Sequence, residues 1–227
     1  MTIKGFIFDF DGLILDTEKP GFLAWKEIFD RFDQPFALED WKKAIGTGPS
    51  AFDPALHLCA IVQDSLDPAL HLCAIVQDSL DPAQLHKEQL SIASKIIRTY
   101  PILPGVLDFI IEAKTARRKL AIASSSPRSW VIGHLSQLEL TQYFNIILTS
   151  EDVINVKPAP DLYLLALSKL ELTPSEAIVF EDSPNGILAA NAAGIMCIAV
   201  PNEITRTMDV SHANIIVESF NEFTLAK

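Results

Sequence analysis

Lys4-Gly5-Phe6-Ile7-Phe8-Asp9-Phe10-Asp11-Gly12 is an apolar strand pattern that ends in two carboxylates two residues apart. Side chains at i and i+2 of a strand project to the same face, so Asp9 and Asp11 share one pocket. Gly12 lets the backbone turn sharply after them. Two like charges held that close are unfavourable unless a cation or a proton relieves them. The pair therefore reads as a candidate magnesium and phosphoryl site, although one D-x-D-G run alone fits a strand that ends in a hydrophilic turn equally well.

Three further segments decide between those readings. Lys119-Leu120-Ala121-Ile122-Ala123 reads as a second buried strand and ends in Ser124-Ser125-Ser126. Ile146-Ile147-Leu148-Thr149 is a third, followed by Val156-Lys157-Pro158-Ala159-Pro160-Asp161. Ala177-Ile178-Val179-Phe180 is a fourth, ending in Glu181-Asp182-Ser183-Pro184-Asn185-Gly186. Each short apolar run delivers polar or charged groups at its C-terminal end, where open parallel α/β sheets place their ligand sites. The fold class expected is α/β, with the four strand ends converging on one crevice. Met196–Val200 and Asn214–Val217 read as two more strands. Thr173-Pro174-Ser175-Glu176 fits a capping box, and Gly186–Ala193 reads as a small-residue helix lying close on the sheet, with Gly194 at its C′ position.

Composition narrows the function classes. At 227 residues the chain suits one large domain or a core with a modest insertion, and 49% hydrophobic content is ample for a buried core. A net charge of −11 argues against a nucleic-acid or anionic-membrane partner. An anionic substrate then needs local positive charge, which Lys157 and a bound metal ion would supply. Three cysteines, Cys59, Cys73 and Cys197, give no disulfide or zinc framework and fit a reduced cytosol. Lys4, Asp9 and Asp11 interrupt the apolar core that a signal peptide would need, and no apolar run approaches the roughly 20 residues that span a bilayer. A soluble, cytoplasmic protein is expected.

Between Gly12 and Pro104-Gly105 the pattern is helical. Phe22, Trp25, Phe29 and Phe32 recur at the spacing of an amphipathic stripe and read as ordinary core. Asp-Pro pairs at 53, 67 and 81 suit helix starts, Asp as N-cap and Pro as first residue. Asp53–Leu66 is repeated without change as Asp67–Leu80, and Asp81-Pro82-Ala83 begins a third, partial copy. Solenoid repeats are longer and degenerate with position, so this copy reads as a recent or deliberate duplication. Leu56, Cys59, Ala60 and Val62 are expected to be buried, and Leu70, Cys73, Ala74 and Val76 make the same demand in the second copy. One slot cannot serve both, so the surplus segment would pack on the outside, mediate self-association of an otherwise monomeric chain, or be poorly ordered.

The series Asp9/Asp11, Ser124, Lys157 and Glu181/Asp182, in this order and spacing, resembles the haloacid dehalogenase-like hydrolase superfamily, in the branch of the β-phosphoglucomutase-like phosphatases. The match covers nearly the whole chain. It implies a Rossmann-like α/β core over residues 1–16 and 96–227, with an all-helical cap inserted at residues 17–95. It also implies a Mg²⁺-dependent phosphatase acting on a small phosphorylated metabolite. Asp9 would be the nucleophile, forming an aspartyl phosphate, and Asp11 the general acid and base. Asp9, Asp182 and the Asp11 carbonyl would ligate the metal, with Glu181 either a further ligand or a support behind them. Ser124, the following amides from Ser125 and the Lys157 ammonium would hold phosphoryl oxygens, and Gly46 and Thr47 would contact substrate from the cap. Asp11 separates the chain from metal-independent dehalogenases, which lack it. Sugar phosphomutases of this branch carry a His where this chain has Gly21, and an Arg in the loop that is here Ile45–Phe52 and has none. A phosphatase is thus expected ahead of two alternatives, a phosphomutase of the β-phosphoglucomutase type and a non-catalytic phosphoryl-binding protein. Receiver domains use a similar inventory of residues, but with the phospho-accepting Asp on another strand and no cap.

Overall fold

The computed structural model describes residues 2–45, 52–65, 80–223 and 225. These fall into two compact units, one of residues 2–16 and 101–223, the other of residues 17–45, 52–65 and 80–100.

The first unit is built on a six-stranded, wholly parallel sheet: β1 Gly5–Phe8, β2 Lys119–Ala123, β3 Ile146–Leu148, β4 Ala177–Glu181, β5 Met196–Ala199 and β6 Ile215–Ile216. Its order is β3-β2-β1-β4-β5-β6, so the strand that leads into Asp9 lies between β2 and β4. A parallel strand flanked this way is covered on both faces and reads as a continuous apolar run, which is the character of Phe6-Ile7-Phe8. Phe6 and Phe8 meet Phe109 of α5 (Val106–Thr115) and Phe180, with Phe6–Phe109 centroids 5.1 Å and Phe8–Phe180 centroids 5.3 Å apart. Ile7 belongs to the opposite layer, with Leu162, Tyr163 and Ala166 of α7 (Asp161–Leu170) and Ala189 and Ala190 of α8 (Pro184–Ala192). Each fully buried Phe or Leu contributes about 1.5–3 kcal/mol. Helix α6 (Arg128–Gln137) follows the serine run after β2. The expected capping box forms around Pro174–Glu176, and Gly194 takes φ +72° just beyond α8, a conformation that suits glycine.

The second unit is all helical: α1 Glu18–Asp30, α2 Leu38–Lys42, α3 Pro54–Ser65 and α4 Pro82–Ile97. The aromatic stripe behaves as core, with Trp25 and Phe29 buried and Phe22 and Phe32 packed against the same cluster. Asp53 caps α3 by accepting from the Ala55 N–H at 2.8 Å, and Asp81 caps α4 by accepting from the Ala83 N–H at 3.0 Å. Cys59 and Val62 are buried as expected, but Leu56 is 56% exposed and Ala60 is exposed too. The buried face of α3 runs instead through Ala55, Leu58, Cys59 and Val62. With apolar residues almost all round this helix, periodicity cannot select the face that packs. Asp67-Pro68 and Leu70, Cys73, Ala74 and Val76 of the second copy lie outside the described residues. Cys59 and Cys197 are free thiols, and no helix among the described residues is long and apolar enough to cross a membrane.

Candidate active site

The Asp9 N–H donates to the Phe180 carbonyl at 3.0 Å, carrying the β1–β4 pairing one residue past Phe8. That sets Asp9 beside Glu181, the last residue of β4. Lys157 bridges the two, its Nζ 2.5 Å from Asp9 Oδ1 and 2.6 Å from Glu181 Oε1. All three are almost wholly buried. The Tyr163 hydroxyl donates to the same Glu181 oxygen. Glu181 Oε2 accepts from the Asp182 N–H at 3.2 Å, the Ser183 N–H at 3.4 Å and the Ser183 hydroxyl at 3.2 Å. These donors stand at the start of α8, where the helix dipole also favours negative charge. Gly186 explains itself here, because a Cβ at that position would overlap the Glu181 carboxyl group.

Asp182 is held from the other side. Its Oδ2 accepts from Asn202 Nδ2 at 2.7 Å, and the same amide nitrogen donates to the Gly12 carbonyl at 3.1 Å. Asn202 Oδ1 accepts from the Ile204 and Thr205 N–H groups, so the amide has no freedom to turn. Gly12 has φ +76°, and a Cβ there would overlap Asp182 Oδ2. Asp9, Glu181 and Asp182 each offer an oxygen within 4.8 Å of the other two.

Electrostatics in this knot are dominated by burial. Burial pushes the Asp9 carboxyl up to about 8, with Glu181 and Asp11 adding to the rise and Lys157 opposing it. Burial would lower Lys157, yet Asp9 and Glu181 together hold its ammonium above the ordinary lysine range. Three carboxyl groups face one ammonium here, so a divalent cation could take the place of the proton that burial otherwise keeps on Asp9. The donors are all oxygen, as a hard cation requires.

Asp11 belongs to a second knot. Its Oδ1 accepts from the Trp130 indole Nε1 at 2.7 Å, and its Oδ2 accepts from Ser126 Oγ at 2.6 Å and Ser124 Oγ at 3.1 Å. Ser124 Oγ in turn accepts from the Ser126 N–H at 3.0 Å. Trp130 stands in the first turn of α6, its ring edge-on to His134 at 4.4 Å, and His134 stacks on Phe10 at 6.3 Å. Burial holds His134 below its usual value against the pull of Asp11, so the ring is neutral at pH 7 and packs as an apolar spacer.

Of the residues expected from sequence, Asp9, Lys157, Glu181 and Asp182 come together, and Asp11 and Ser124 meet beside them. The Ser125 hydroxyl is buried with no hydrogen-bond partner among the described residues. Gly46 and Thr47 lie outside the described residues. Trp130, Tyr163, Asn202 and the contact made by Ser126 were not foreseen. The rule that strand ends carry the site would have reached Asn202, two residues past Val200, and Ser126 stands in the serine run itself. Trp130 and Tyr163 project from helices and leave no such signal.

The sequence pattern of the haloacid dehalogenase-like hydrolases matches residues 6–200. The chain belongs to this hydrolase family. The match takes in both knots apart from Asn202. Among relatives, YhcW of Bacillus subtilis is 38% identical over 224 residues, 99% of this chain and 95% of that protein. The phosphorylated carbohydrates phosphatase of Thermotoga maritima is 30% identical over 193 residues, 85% of this chain and 82% of its own. Among solved structures, CbbY of Rhodobacter sphaeroides in complex with phosphate superposes with a TM-score of 0.74 at 28% identity, covering 97% of this chain and 96% of that one. The haloacid dehalogenase-like core with its helical insertion is therefore shared across nearly the whole length.

Proposed function

We propose that this chain is a phosphoric monoester hydrolase that dephosphorylates a small phosphorylated metabolite through an aspartyl phosphate on Asp9, with Mg²⁺ bound. The observation that carries the reading is the buried set of Asp9, Lys157, Glu181 and Asp182, whose three carboxyl groups around one ammonium present oxygens within 4.8 Å of one another, a donor set for a divalent cation. The Thermotoga relative named for phosphorylated carbohydrates and the phosphate complex of CbbY support the substrate class.

Asp9, Asp182 and the Asp11 carbonyl would hold the ion, which when bound supplies charge neutralisation at the phosphoryl oxygens. Glu181, with both oxygens already engaged, serves behind these ligands by fixing Lys157. Phosphoryl transfer asks a protein mainly for positioning and charge. Lys157 orients Asp9, and Asp9 attacks phosphorus in line, forming the Asp9–phosphorus bond as the ester oxygen departs. Asp11 gives that oxygen a proton and then takes one from the water that splits the acyl phosphate. The Ser125 hydroxyl, free of other partners among the described residues, and the amides after Ser124 bind phosphoryl oxygens. Gly46 and Thr47 contribute substrate contacts. Two buried thiols, Cys59 and Cys197, are in keeping with a reducing cytoplasm.

Hydrolysis ranks above mutase chemistry because a Cβ at Gly21 would lie 2.8 Å from the Trp41 ring. The His that mutases carry there has no room unless Trp41 moves. The test is phosphate release from a panel of phosphosugars and phosphorylated metabolites with Mg²⁺, for wild type and Asp9→Asn. The variant should be inert and EDTA should silence the wild type. Residual turnover in the variant above about one per cent would overturn the covalent step, since that step is not bypassed cheaply.

A further inference from the structure

General acid–base catalysis depends on where the carboxyl group points, and the D-x-D-G motif does not by itself fix that for Asp11. Its side chain is aimed by donors from elsewhere in the chain. A carboxylate offers about four lone-pair sites, and three are filled here: one by the Trp130 indole, one by Ser126 and one by Ser124. The indole donor is the longest reach of the three, from the first turn of α6, and it has only one hydrogen to give. Its ring cannot swing freely, since it stands edge-on to His134, which is buried and stacked on Phe10, the residue between the two aspartates. Phe10, His134, Trp130 and Asp11 thus close a ring of contacts that ties α6 to the end of β1. Among the described residues one lone pair of Asp11 stays open, which is what a group exchanging a single proton needs.

We propose that Trp130 is a positioning residue for Asp11: its indole N–H, with the Ser126 hydroxyl, holds the carboxyl group in the orientation that protonates the leaving oxygen and later deprotonates water. This deepens the phosphatase reading and rests on it. Loss of the indole N–H with the ring kept, as in Trp130→Phe, frees Oδ1 and lets the carboxyl group rotate.

The experiment compares two substrates with Mg²⁺, 4-nitrophenyl phosphate, whose leaving group departs without a proton, and an alkyl phosphate, whose leaving group needs one. kcat/KM reports the step that forms the aspartyl phosphate, whereas kcat also carries its hydrolysis, where Asp11 acts as base for both substrates. For Trp130→Phe, kcat/KM with the alkyl phosphate should fall about tenfold or more, a fraction of the 10²–10⁴ that general acid catalysis supplies. With 4-nitrophenyl phosphate kcat should fall while KM falls alongside it, so that kcat/KM drops far less. Ser126→Ala, which leaves the aromatic packing intact, should show the same split to a smaller degree. Equal losses of kcat/KM for the two substrates in both variants would mean a structural role only, and no loss in either would mean no role; both outcomes overturn the proposal. Asp9→Asn, run alongside, separates the two failures. If it is inert while neither variant discriminates by leaving group, positioning by Trp130 is wrong and the phosphatase reading stands. If it turns over, the phosphatase mechanism itself falls.

Discussion

Replacing Lys157 by Met keeps the length of the side chain and removes its charge. Lys157 is 2% exposed and pairs at 2.5 Å with Asp9 and 2.6 Å with Glu181, so the variant leaves Glu181 buried with no counter-charge, and Asp9 as well wherever it is ionised. Removing one partner of a buried pair costs about 3–5 kcal/mol. For a chain of this size each kcal/mol lowers Tm by about 2–4 °C, which gives a fall of about 6–20 °C in metal-free buffer at pH 7.5. The fall should be larger at pH 9, because Lys157 is what lets Asp9, already pushed up to about 8 by burial, give up its proton there, and without it the charge is resisted to higher pH. A second variant, Lys157→Met with Glu181→Gln, restores the original charge balance and should recover at least half of the loss. Thermal and urea melts of wild type, the two single variants and the double complete the cycle. A loss below about 1 kcal/mol in Lys157→Met, or a double variant no better than the sum of the singles, would refute the picture of a charge-coupled knot.

Two further outcomes are expected. Folded, metal-free protein keeps a proton on Asp9 up to about pH 8, whereas the unfolded chain releases it near 3.8, so this group's contribution to stability falls as pH rises between those values. Mg²⁺ would take the place of that proton, so the Tm increment on adding it, read by scanning fluorimetry, should grow from pH 6 to pH 8.5; an increment that does not change with pH would remove Asp9 from the ligand set. Deleting Asp67–Leu80 yields the same sequence as deleting Asp53–Leu66, because the copies are identical, and the product should be a folded, active phosphatase at least as soluble as the parent. Loss of the helical unit or of activity would make both copies structural parts of it, and light scattering on the two forms tests self-association.

The sequence made the sheet legible because each buried parallel strand is an unbroken apolar run, and its C-terminal end is where polar residues gather. Asp9, Ser124, Lys157 and Glu181 were all found by that one rule, and Asn202 obeys it as well. Trp130 and Tyr163 escaped because a helical residue reaches the site through three-dimensional neighbours that no local pattern encodes. The buried face of α3 was misjudged for a different reason: where Ala55, Leu56, Leu58, Cys59, Ala60, Ile61 and Val62 are all apolar, hydrophobicity has no direction to report.

The strand order has a consequence for the newborn chain. β1 is made before both of its neighbours in the sheet, which end at Ala123 and Glu181. At synthesis rates of about 5–20 residues per second, both of its edges wait on the order of ten seconds or more for their partners. A stretch such as Phe6-Ile7-Phe8 left open for that time invites pairing with other chains. Asp9 and Asp11 stand at its end as charged gatekeepers, repelling a second copy of themselves before they have any ligand to bind. Without them, residues 5–15 would be one uncharged and almost wholly apolar run. Neutralising both therefore exposes the nascent chain to aggregation as well as disarming the enzyme, and a poor yield of such a variant reports on its birth rather than on its folded state.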